Sequence, residues 1–347
     1  MWHSCKHGLR LGLGVFLTLF AGDGRYRTAP PYAPIESREA NQVERERAQP
    51  RVAMLGHAEA WRRLPAVVQG GGEFLPSWAR VLAATLPRTT AAMLELDFLH
   101  RARSPLEPAL RGQLRWVAAH AHGCLYSEVI AAADLRRARV EETAIEHLLA
   151  GELDAFPPNT RAALQFAEKL TRDGSSVTDE EVERLLALYG ERQVVAMVLL
   201  LAHAEFQDRL VVTLGLTPDF CDPLPPADVR FARSLVGAER KRPLRKKVPP
   251  AAATTVVSRI ADRDWLTLDF DAIQTQLAKQ RARRCRIGLP GDNPDAPRWG
   301  LVCRAYQPEL ADAWSACLHA YDDEADLDPI FEECVFWIVT RSVRCFY

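Results

Sequence analysis

The 347-residue sequence has no excess charge of one sign: 44 lysines and arginines face 45 aspartates and glutamates, for a formal net charge of -1. That balance leaves no electrostatic footprint for nucleic acid or for an anionic membrane surface. No stable membrane span is expected. The apolar run Leu11–Ala21 follows Lys6 and Arg10 and has the length of a signal-peptide core, but it is too short to cross a bilayer and no A-x-A cleavage site follows it. Absent as well are any C-x-x-C pair and any zinc-ligand spacing, and no cofactor is expected. The eight cysteines, Cys5, Cys124, Cys221, Cys285, Cys303, Cys317, Cys334 and Cys345, are too scattered for the disulfide framework of a small secreted domain. They point to a reducing, cytoplasmic compartment, with export by an N-terminal signal peptide as the alternative.

A hydrophobic content of 48% with 26% charged residues is that of a globular protein, and the length suits two ordinary domains. The stretch Asp23–Arg51 is rich in Pro, Arg and Glu with little periodicity, so residues 1–53 read as a leader or disordered segment.

An internal repeat organises the rest. At one constant offset, without a gap, Pro76 matches Pro297, Trp78 matches Trp299, Val81 matches Val302, Ala84 matches Ala305, Pro87 matches Pro308 and Ala92 matches Ala313. The series continues through Leu106 with Leu327, Pro108 with Pro329, Trp116 with Trp337, Cys124 with Cys345 and Tyr126 with Tyr347. These are eleven identities over 51 positions, and rare residue types supply more than half of them. The first copy continues well past Tyr126, whereas the second stops at Tyr347, so it reads as truncated and the chain as a fragment. The expected organisation is a first helical domain over 54–218, a linker over 219–262 and a truncated second copy over 263–347. The linker carries the basic run Glu239–Lys247 among prolines and reads as a solvated connection.

Helical signals dominate the first copy. Ser104-Pro-Leu-Glu107 has the form of a capping box with proline at the first helical position. Leu110, Leu114, Val117 and Ala121 then recur at helical spacing, and Gly123 interrupts the pattern before a second helix begins near Cys124. Thr178-Asp-Glu-Glu181 repeats the capping logic, Gly190 fits a helix stop, and Val194–Leu216 forms the last long helix. Residues 297–347 carry apolar faces, including Trp299, Trp314 and Trp337, so this tail is expected either to pack poorly or to dock on the first copy.

Cys124 falls at the predicted start of a helix, where unpaired N–H groups and the macrodipole lower a thiol pKa, although most free cysteines are small buried hydrophobes. His120 and His122 lie close enough in sequence to support a proton relay, or to serve as capping residues at the helix end.

The segment Leu114-Arg-Trp-Val-Ala-Ala-His-Ala-His-Gly-Cys-Leu-Tyr126 resembles the core of the carboxymuconolactone decarboxylase and alkylhydroperoxidase D superfamily, and the resemblance extends over roughly residues 75–218. It implies an all-α helical bundle that forms homo-oligomers. In the superfamily's peroxidase branch it implies reduction of hydroperoxides by a C-x-x-C pair, with a histidine four residues after the second cysteine and a glutamate twelve before the first. The first copy keeps Cys124 but has Ser127, Ala131 and Gly112 at the other three positions, which implies a degenerate site. In the second copy Glu333 stands twelve residues before Cys345, and the remaining two positions fall beyond Tyr347. Glu333 is otherwise an ordinary acid in the first turn of a helix.

The expected function is therefore a thiol-dependent peroxidase acting through Cys345 and Glu333 in an intact longer product, with a degenerate first site that keeps Cys124 and a second site that is incomplete in the chain as given. Its partners would be a hydroperoxide or small organic substrate and a dithiol reductant. Two alternatives stand beside it: a non-catalytic helical oligomerisation module, and a lactone decarboxylase, which Ala131 in place of a histidine disfavours.

Overall fold

The structure, a computed structural model, describes residues 51–65, 67–70, 74–218, 224–231 and 298–342, with short stretches at 271, 274–275, 278–279 and 285–288. Eleven helices longer than one turn and one two-stranded sheet are built from the described residues. The leader and most of the linker expected from sequence lie outside them.

Two helices open the chain, α1 (His57–Arg63) and α2 (Ser77–Leu82), and they lead into α3 (Pro87–Ala102). The central bundle follows as α4 (Pro108–Ala121), α5 (Leu125–Arg137), α6 (Glu142–Ala150), α7 (Pro158–Asp173) and α8 (Asp179–Leu214). α4 packs against α5, α7 and α8, so its Leu114, Trp116 and Val117 are buried together with Leu135, Leu164, Met197 and Leu200.

Local chemistry explains the boundaries. Proline at the first position of α3, α4 and α7 costs no hydrogen bond there. The box expected at Ser104 is displaced: Glu107 caps α4 through the Leu110 N–H at 3.2 Å, and Pro108 takes the first helical position. Thr178 and Glu181 form a complete capping box. Gly190, at φ 73° and ψ 165°, breaks α8 into two helical pieces, a conformation that favours glycine.

α8 is long and apolar enough to cross a membrane by length and composition alone. In the fold it is the central core helix, and its C-terminal half carries Gln207 and Asp208 inward to a buried arginine.

The all-helical expectation has one exception. Strand β1 (Val67–Gly70) pairs antiparallel with β2 (Asp228–Phe231), Val67 opposite Phe231. β2 lies in the stretch read from sequence as linker, yet Val229 and Phe231 are buried against α3 and the Phe231 N–H donates to Glu95 at 3.0 Å. Alternation of buried and half-buried residues over only four positions is too short a signal to separate from linker composition.

The second helical region comprises α9 (Arg298–Tyr306), α10 (Pro308–Glu324) and α11 (Pro329–Ser342). Their first residues stand to those of α2, α3 and α4 at the offset of the sequence repeat, Arg298 to Ser77, Pro308 to Pro87 and Pro329 to Pro108. α10 lies against α3, and its Leu310, Ala313, Ala316, Cys317 and Ala320 join the same apolar cluster as Trp78, Leu94, Leu96, Phe206 and Leu210. Trp314 also packs there, against His203. α11 is less covered: Ile330 is 70% and Phe331 58% exposed, whereas Leu110, at the position in α4 corresponding to Phe331, is 8% exposed.

Candidate functional site

Gly123, at φ 62°, turns the chain between α4 and α5 and leaves Cys124 as the N-cap of α5. The position is the one expected, but its environment reverses the expected acidity. Cys124 is only 1% exposed, and burial, reinforced by the nearby Asp208 carboxylate, pushes its thiol up to about 12. Its Sγ donates to Ser127 Oγ at 3.4 Å. A helix N-terminus lowers a thiol pKa only where the thiolate keeps solvent or a positive partner, and the nearest cation is already committed elsewhere.

That cation is Arg115. Its guanidinium donates to Asp208 Oδ2 at 2.9 Å and Oδ1 at 2.5 Å, to Ser127 Oγ at 2.7 Å and to Gln207 Oε1 at 3.1 Å. Asp208 is fully buried. Burial disfavours its charge, but Arg115, together with His122, more than offsets this and holds the carboxyl below the usual carboxylate range. His122 Nδ1 lies 3.2 Å from Asp208 Oδ2 and, facing a carboxylate, donates its proton there. His122 is thus tied to the ion pair, while His120 stacks on Trp116 and meets Glu128 at 3.1 Å.

The network runs on. Gln207 Nε2 donates to Asp97 at 3.4 Å, and Asp97 accepts from Arg101 at 3.1 Å. Arg101 grips Asp134 with two bonds of 2.8 and 2.9 Å and donates to the Leu224 carbonyl at 3.0 Å. Arg101 is held protonated against its burial by Asp97 and Asp134. A shallow cleft lined by Trp78, Tyr126, Ile130, Ser127 and Gln207 borders this network. Its two arginines each donate to carboxylates and to neutral oxygens, Ser127 Oγ and Gln207 Oε1 for Arg115 and the Leu224 carbonyl for Arg101, so these donors tie the surrounding helices together. Among the described residues no cluster of His, Cys, Asp and Glu has the geometry to hold a metal ion.

The other sequence-level candidates among the described residues are placed as follows. Gly112, at the glutamate position of the family pattern, sits under Leu135: a Cβ built there comes within 2.7 Å of Leu135 Cδ2 and 2.8 Å of its Cγ. Gly112→Ala is expected to destabilise by up to about 2 kcal/mol in urea unfolding, the overpacking cost of roughly 1–3 kcal/mol being partly offset by a helix-propensity gain of about 1 kcal/mol. Leu135→Val in the same chain should recover most of the loss. Ala131 is fully buried. Glu333 is exposed on the first turns of α11, and Cys345 lies outside the described residues.

Asp208, Gln207, Asp97, Arg101 and Asp134 are the site residues that sequence reasoning missed. The available signal was polarity out of place: Gln207-Asp208-Arg209 interrupts the apolar helix Val194–Leu216, and Arg115 stands beside Leu114 on a helix with an apolar face. The chain matches no protein-family model and no curated protein.

Proposed function

We propose that the chain is a thiol-dependent peroxidase of the alkylhydroperoxidase D type, in which Cys345 of the second copy reacts with peroxide and the first copy serves as its helical support. The reading is carried by the contrast between equivalent positions in the two copies. In the first, the position of the glutamate is a glycine closed over by Leu135 and the thiol is buried with a raised pKa. In the second, that position holds Glu333, exposed on α11, twelve residues before Cys345.

In this chemistry the Cys345 thiolate attacks the distal oxygen of a hydroperoxide, the O–O bond breaks, and the alcohol leaves with a proton that Glu333 can supply. The sulfenic acid on Cys345 is then taken by one thiol of a dithiol reductant with loss of water, and the second thiol releases Cys345 as the reductant closes its own disulfide. Ser127 and the fully buried Ala131 leave the first copy without a resolving thiol or a histidine, which also weighs against a decarboxylase reading.

A non-catalytic helical module is the second reading, favoured by the buried Arg115–Asp208 ion pair beside Cys124, the thiol of the motif that lies among the described residues. Hydroperoxide consumption with a dithiol separates the two. Cys345→Ser is expected to abolish turnover, Glu333→Gln to reduce it by about 10²-fold or more, and Cys124→Ser to leave it within about twofold. Absence of turnover both in this chain and in one extended past Tyr347 would favour the non-catalytic reading.

A further inference from the structure

The contact between α3 and α10 has a property that neither sequence nor fold class requires: the two helices are the same element of the two copies. α3 begins at Pro87 and α10 at Pro308, its counterpart in the repeat. They run antiparallel, since the last residue of α10 caps the first turn of α3: Glu324 accepts from the Arg88 N–H at 2.7 Å, from the Thr89 N–H at 2.8 Å and from Thr89 Oγ1 at 2.7 Å. Asp323 pairs with the Arg88 guanidinium at 3.1 Å. In the repeat, Glu324 corresponds to Arg103 and Glu309 to Arg88. The first turn of one copy therefore meets the last turn of the other, and the antiparallel register is centred near Glu95 in α3 and its counterpart Ala316 in α10. A helix crossing its own equivalent about its midpoint is the arrangement of an isologous, two-fold subunit contact.

The charges are not those of an identical pair. An α3·α3 contact in this register would set Arg88 against Arg103 at both ends and bring two Glu95 carboxylates together at the centre. An α10·α10 contact would set Glu309 against Glu324 at both ends. The mixed pair is matched: at one end Glu324 caps the first turn of α3 and Asp323 pairs with the Arg88 guanidinium, and at the other Glu309 bonds Arg230 of β2 at 3.0 Å, where Arg230 and the α3 cap residue Arg103 both lie 5.8 Å from the Phe98 ring centroid. At the centre Ala316 stands where a second Glu95 would be, and Glu95 accepts from the Phe231 N–H. Like charges built against the wrong pairing are how homologous interfaces are kept apart.

We propose that α3 and α10 are the two halves of one two-fold helix contact, brought into a single chain by the repeat and fitted with complementary charges. On this account α3 takes the chain's own α10 and rejects α3 of another molecule. The inference stands apart from the peroxidase reading, because it concerns what closes the α3 face and not what Cys345 does.

The test is a charge swap across Arg88 and Asp323 in the full chain, read by amide hydrogen exchange in α3 and α10. Arg88→Asp and Asp323→Arg are each expected to speed exchange in α10 by about fivefold or more, since each sets like charges against one another at a half-buried site. The double variant carries the matched pair again and should return to within about twofold of the wild type. Co-refolding the two single variants as a mixture decides whether the contact is made within the chain. If it is, neither chain can form a matched pair and exchange stays fast. Recovery in the mixture equal to that of the double variant would overturn closure within one chain, and failure of the double variant to recover would overturn the charge complementarity.

Discussion

Asp208→Ala is expected to cost roughly 3–5 kcal/mol of unfolding free energy, because it leaves the Arg115 guanidinium buried without its counter-charge. Asp208 has no exposed surface, and Arg115 spends two of its four donated bonds on it. The same carboxylate accepts from His122, so the truncation also strands a second donor. A loss of this size is a large share of the roughly 5–15 kcal/mol that holds an ordinary domain together. Urea unfolding followed by circular dichroism measures it, as a fall in midpoint at unchanged slope.

The control is the double replacement Arg115→Met with Asp208→Leu, which removes both charges and fills the site with apolar side chains. Buried ion pairs gain little net stability, since desolvating both charges offsets their attraction; what is costly is to orphan one of them. The double variant is therefore expected to be at least about 2 kcal/mol more stable than Asp208→Ala. If the double variant were as unstable as the single, the network would be supplying packing that leucine and methionine cannot replace. The electrostatic account would then be wrong.

The contrast between what was legible in the sequence and what was not follows the range of each interaction. Helix starts are written locally: Thr178 and Glu181 lie three residues apart and form the capping box expected of them, and Gly190 breaks α8 where a stop was read. The second helical region was legible through a repeat, because rare residues such as Trp78 and Trp299 or Pro108 and Pro329 keep a constant offset. Pairings between distant residues were not. Arg115 meets Asp208 across 93 positions and Glu324 meets Arg88 across 236, and no local pattern specifies either. Cys124 shows the same limit. Its place at a helix start was readable, but its acidity is decided by burial and by a carboxylate on α8. The strand Asp228–Phe231 was missed because so short a run shows no period, and its partner Val67–Gly70 lies on the far side of the whole central bundle in sequence.

The second large effect is a loss of stability in mild acid, and it comes from two histidines that no motif singled out. His100 on α3 and His203 on α8 stack face to face, with centroids 4.4 Å apart, and the edge of Trp314 from α10 closes on His203. Both are buried, and among the described residues both ring nitrogens of His203 and the Nε2 of His100 have no hydrogen-bond partner. Burial first, then the Arg115 charge, brings His203 down to about 3, and burial with the neighbouring His203 holds His100 well below its usual value. The charged groups that act on the pair are Arg115 on α4, Asp208 on α8, and Arg101 and Asp97 on α3, and the favourable pull of the two carboxylates does not outweigh desolvation.

Because the folded values lie below the unfolded value of about 6.5, the unfolded chain binds protons that the folded one refuses. Stability is then full above about 6.5 and falls as pH drops, by about 1.4 kcal/mol per pH unit for each group, until the folded value is reached. For His203 that window runs from about 6.5 to about 3. Asp208, whose folded value is lowered, adds its own loss only below the unfolded carboxylate value of about 3.9. The interval from pH 6.5 to about 4.5 thus belongs to the histidines, and wild-type stability is expected to fall there by several kcal/mol, on the order of 3 from His203 alone. His203→Leu should remove about half of that slope in urea titrations at stepped pH. An unchanged slope in the variant would mean that the pair takes up protons without opening the core. Since Trp314 rests on the His203 ring, its fluorescence should report the event, and a change in emission before circular dichroism is lost would place release of α10 ahead of global unfolding.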